Sequence, residues 1–118
     1  MEHSEYVKKC SEVVKTIIFR EVPLREALIS AAEICFENFP IQDVPYGDGN
    51  KCEEVIDLLT NERQNTISET VSGMDDHQVI DIVERIYLLN IELIIDETMQ
   101  KVDNQWKSTY LHPMRFHN

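Results

Sequence analysis

Three glycines and four prolines in 118 residues leave little material for tight turns, which argues against a strand-rich fold. Cysteine is also scarce. Cys10, Cys35 and Cys52 form no CxxC pair and leave one thiol over in any disulfide scheme, so reduced thiols and a cytoplasmic setting are expected. No hydrophobic run reaches the ~18 residues of a membrane span, because Asn90, Glu92 and Asp96 interrupt the longest candidate. The first residues, Met1, Glu2, His3, Ser4 and Glu5, lack the basic-then-apolar order of a signal peptide. No serine lies in a GxSxG setting, and no cysteine has the surroundings of a nucleophile. No catalytic residue, metal ligand or cofactor is therefore expected.

Bases are the other shortage, and it is local. The net charge is −11, and fourteen acids against three bases (Lys51, Arg63, Arg85) fall between Asp43 and Gln100. The remainder of the chain carries eight of each. A field of that sign repels nucleic acid and anionic membranes and hastens encounter with a basic protein.

What is present is helical periodicity. Asp75 and Gln78 stand at capping-box spacing, and an apolar-rich stretch follows through Ile95 with no glycine or proline. The expectation is an all-α bundle of four to five helices in one domain, residues 1–118, built around a central buried helix over about 75–102. Tyr6, Cys10, Val13, Val14, Ile17 and Ile18 step by three and four along a first helix. Pro23 suits the first turn of a second helix, which carries Leu24, Leu28, Ala31, Ala32, Cys35, Phe36 and Phe39 and stops at Pro40. Residues 38–50 read as a loop. Asn50 and Glu53 read as the capping box of a third helix through Cys52, Val55, Ile56, Leu58 and Leu59. Between Thr60 and Ser72 only Ile67 and Val71 are large and apolar, giving an exposed helix or a separate polar segment. The aromatic tail, with Trp106, Tyr110 and Phe116, is expected to dock over one end of the core.

Two short resemblances can be traced. Tyr46, Gly47, Asp48 and Gly49 leading into a helix resemble a turn near the carboxyl end of UDP-N-acetylglucosamine 2-epimerases, whose two Rossmann-like domains this chain has no strands to supply. Glu54 with Asp57, and Asp81 with Glu84, loosely resemble the carboxylate pairs of all-α nucleotide pyrophosphohydrolases. That resemblance implies a Mg²⁺-dependent enzyme, although the order of the acids differs.

The polar side of the central helix offers a different function. Asp81, Arg85, Leu88, Glu92 and Asp96 form one ridge, with a leucine set among charges. Interfaces concentrate binding energy in such apolar anchors ringed by polar contacts, although a packing role for Leu88 under Phe39 or the tail fits the pattern equally. The expected function is an acidic protein-binding module of the immunity-protein or antitoxin kind, occluding a basic partner such as a nuclease toxin. Its contact face is Asp75, Asp76, Asp81, Glu84, Leu88, Glu92 and Asp96, with a second cluster at Glu53, Glu54, Asp57 and Glu62. A structural or adaptor subunit is the other alternative.

Overall fold

A computed structural model describes residues 4–116, with side chains described for all of these but 46 and 107–116. It contains helices and no strands among the described residues: α1 (Glu5–Ile18), α2 (Leu24–Phe36), a 3₁₀ turn (Ile41–Asp43), α3 (Tyr46–Thr60), α4 (Ile67–Ser72) and α5 (Asp76–Phe116). This is the expected small all-α bundle. α1, α2 and α3 all pack on α5, while α4 is held against α2 and α3.

Each boundary has a local cause. The Asp75 carboxylate accepts the Gln78 N–H at 2.8 Å and the Gln78 side chain accepts the Asp75 N–H at 2.9 Å, which satisfies two donors that a helix start leaves orphaned. A second capping box, not foreseen, starts α4: Thr66 Oγ1 accepts the Glu69 N–H at 3.1 Å and the Glu69 carboxylate accepts the Thr66 N–H at 3.2 Å. The weak segment between α3 and α5 is thus a left-handed turn followed by a short helix that buries Ile67 and Val71. Asn61, Glu62 and Arg63 all have positive φ, 51°, 57° and 68°. Asparagine tolerates that region, while glutamate and arginine sit there at a cost of about 1 kcal/mol each.

α3 begins at Tyr46, four residues before the expected Asn50 cap, with Pro45 ahead of its first turn. The glycines of the Tyr-Gly-Asp-Gly stretch are therefore helical, and the 38–50 loop is shortened by the 3₁₀ turn as well. α5 departs further from expectation. It runs 41 residues to Phe116, about 60 Å at 1.5 Å per residue, and so sets the 66 Å long axis of the molecule. The tail continues the helix and does not fold back, and Trp106 is 57% exposed; Tyr110 and Phe116 lie outside the described side chains.

Burial on α5 is confined to one face. Val79, Ile82, Val83, Ile86, Leu89 and Leu93 enter the core with Val7, Cys10, Val13, Ile17, Leu28 and Leu59. Ile80, Leu88, Ile91 and Ile95 are exposed. A buried carboxylate and a guanidinium pin the helix. Glu97, 4% exposed, accepts the Ser4 N–H at 3.0 and 3.3 Å and pairs with Lys101 at 2.8 Å, placing negative charge at the positive end of α1. On the other side of the bundle, Arg25 donates to the carbonyls of Val71 and Met74, both at 2.6 Å, tying the α4–α5 junction to α2.

Candidate functional site

α3, α4 and α5 enclose an open cavity of about 870 Å³. Its walls carry Glu53, Glu54 and Asp57 from α3, Glu62 from the left-handed turn, Glu69 from α4 and Asp81 from α5, with Leu58, Met74 and Ile82 as apolar lining. Among the described residues no lysine or arginine lines it, but Arg63 pairs with Asp57 at 3.4 Å and Arg85 holds Glu54 and Asp81 from outside. The acidic cluster read from sequence at Glu53, Glu54, Asp57 and Glu62 therefore lies together in one concavity, and of the α5 face only Asp81 joins it. The helical period makes this possible: Glu54, Asp57 and Leu58 share one side of α3, and Gln78, Asp81 and Ile82 share the facing side of α5.

Below the cavity the charges are matched. Arg85 reaches Glu54 at 3.0 Å and Asp81 at 3.3 Å, so a guanidinium lies between the two carboxylate pairs that resemble a pyrophosphohydrolase site. Among the described residues, no group of three or more His, Cys, Asp or Glu side chains is arranged to hold a metal ion. One turn further on, Lys51 meets Glu92 at 2.7 Å and Asp48 at 3.8 Å, and its hydrogen bond to Glu92 raises the Lys51 ammonium above its ordinary pKa. Asp48, 6% exposed, is pushed up to about 6 by burial and by its hydrogen bond with Asp96. That bond needs a proton on Asp48, so it holds below about pH 6 and opens above it.

The expected contact face is therefore partly engaged. Asp75 caps α5, Asp76 pairs with Arg25 at 3.0 Å on the α2 side, and Asp81, Glu92 and Asp96 hold the contacts just described. Glu84 and Leu88 point outward. Leu88 is 59% exposed in a shallow hollow with Val55, Leu89, Lys51, Glu54, Arg85 and Glu92. Phe39 does not cover it: that ring is buried against Phe36, 5.4 Å between centroids. Three features escaped the sequence reading, namely the cavity itself, the Asp48–Lys51 branch of the charge network, and exposed apolar residues beyond Leu88 on α5. Only the last had a signal, a spacing of three and four that a buried-helix reading assigns to the core.

The cysteines are all buried and free, and burial pushes Cys10 and Cys52 up to about 12. They act as small apolar fillers, not nucleophiles. No helix among the described residues is long and apolar enough to cross a membrane. In comparisons with protein families, curated proteins and solved structures, nothing matches this chain.

Proposed function

We propose that the chain is an acidic protein-binding module that docks a basic protein on its α3–α5 side, occluding that partner in the manner of an immunity protein or antitoxin over a nuclease toxin. One observation carries this reading. Six carboxylates face one cavity with no base among its lining residues, around an apolar interior of Leu58, Met74 and Ile82. Lysine or arginine side chains entering it would find complementary charge at the rim and apolar contact for their stems, and the surrounding field raises the encounter rate. Leu88 and Glu84 extend the face along α5. Glu54, Asp57 and Asp81 already hold a base of their own chain and Glu69 caps α4, so the contact centres on Glu53 and Glu62 at the cavity and the ridge is its margin.

Affinity capture from the protein's own cells, washed with rising salt, tests the reading when run beside a Glu53→Lys/Glu62→Lys double variant. A single basic partner in stoichiometric amount, released by salt and bound at least about tenfold more slowly by the variant, is expected. A partner retained equally by both forms places the contact elsewhere on the molecule.

A further inference from the structure

Along its outer side α5 keeps an ordered and exposed apolar pattern. Leu88, Ile91, Ile95, Met99, Val102 and Trp106 are all about half exposed or more. They step by three, four, four, three and four, an eleven-residue repeat. At 100° per residue these six positions fall within one narrow strip, opposite the face that Ile86, Leu89 and Leu93 bury. An eleven-residue repeat keeps such a strip nearly parallel to the helix axis, the pattern of helices that pair along their length with slight right-handed winding. The strip spans about 27 Å. The part of α5 after Glu97 carries half of it, Met99, Val102 and Trp106, on a segment whose side chains through Trp106 are exposed except for the half-buried Lys101.

The borders of the strip differ. One is acidic, with Glu92, Asp96 and Asp103; the other is uncharged, with Tyr87, Thr98 and Gln105. Antiparallel pairing of two copies would set like border against like and so acid against acid. Parallel pairing sets the acidic border of each copy beside the uncharged border of the other. Glu92 is further quietened by Lys51 of its own chain. The bundle packs on the far face of α5. Six apolar side chains per copy, at about 100 Å² each, reach on the order of 1,200 Å² across the pair, the lower bound for a stable interface.

We propose that two copies of this chain pair in parallel through the Leu88–Trp106 strip of α5. The interface is apolar and joins two acidic bodies, so salt tightens it. Docking of a basic partner in the cavity responds to salt with the opposite sign, and either property can fail without the other.

Sedimentation velocity over a range of protein concentrations, at low and high salt, is the test. The wild-type chain should move from monomer to dimer, with the midpoint falling severalfold at high salt. Ile95→Asp and, separately, Met99→Glu should abolish the dimer while circular dichroism stays helical. A Val102→Cys variant should form an intermolecular disulfide on mild oxidation, since the native cysteines are buried and parallel pairing brings the two 102 positions together. A monomer at every concentration, or a dimer indifferent to both strip variants, overturns the proposal. A dimer that those variants abolish but that Val102→Cys does not cross-link overturns the parallel arrangement. A species that assembles only when a basic protein is added, and dissociates with salt, shows that the strip serves that partner and not a second copy.

Discussion

The two halves of α5 serve opposite ends. Up to Glu97, apolar side chains face the core and nearly every acid has found a counterpart: Gln78 for Asp75, Arg25 for Asp76, Arg85 for Asp81, Lys51 for Glu92, Asp48 for Asp96. After Glu97 the described side chains are mostly exposed, and the apolar ones align on a single strip. Composition differs as well, with six acids, one base and six isoleucines over 76–97 against one acid, three bases and no isoleucine over 98–116, but it does not by itself set burial. The difference comes from the three shorter helices, which reach only the first half and so decide which isoleucines count as core.

The sharpest way to break this comparison is to truncate one residue on each face. Leu93→Ala, at a position 1% exposed, should cost about 2–5 kcal/mol through lost burial and the cavity left behind. Ile95→Ala, two residues on and 52% exposed, should cost no more than about 0.5 kcal/mol at low protein concentration. Urea unfolding followed by circular dichroism reads both, and equal losses would mean that the strip is packed within the monomer.

The shared proton gives a smaller, pH-dependent effect. The folded Asp48 carboxyl titrates at about 6 against an ordinary 3.8, so the fold binds that proton more tightly than the unfolded chain does. Its contribution to stability is fully present below about 3.8 and is lost as pH rises through 6. Asp48→Asn, which can still donate to Asp96, should stabilise the protein by on the order of 1 kcal/mol at pH 7.5. Thermal melts of the two forms should converge as pH falls toward 4. A gap that persists there would place the effect on packing, not on ionisation.

The smallest change in stability is expected at Arg85, whose pairs with Glu54 and Asp81 are half exposed. Arg85→Ala should shift the unfolding free energy by about 0.5 kcal/mol and yet speed association with a basic partner, because two carboxylates lose their internal cation. Stopped-flow association at low salt checks the second effect; a slower on-rate would make Arg85 part of the contact.

What could be read in advance follows a physical divide. The start of α5 was legible because Asp75 and Gln78 carry their signal within four residues, and the first two helices because their apolar spacing is regular. The Thr66–Glu69 box was equally local, but it was hidden in a segment with two apolar anchors. The start of α3 was misplaced because Gly47 and Gly49 read as a turn; Pro45 and the burial of Asp48 keep them helical. The cavity, the Lys51–Glu92 pair and the Asp48–Asp96 proton depend on how α3 lies against α5, and no spacing within either helix encodes that. The acids of the candidate site were found one helix at a time, while their convergence was not.

The bond from the Ser4 N–H to Glu97 joins residues 93 apart in sequence, and its consequence lies in folding kinetics. α1 and α2 can associate early, since they are neighbours in the chain. Docking α5 on them closes a loop of nearly the whole sequence, a long-range contact expected to slow refolding. Refolding should then be limited by docking of that last helix, with a compact, apolar-surfaced intermediate exposed to aggregation until it does.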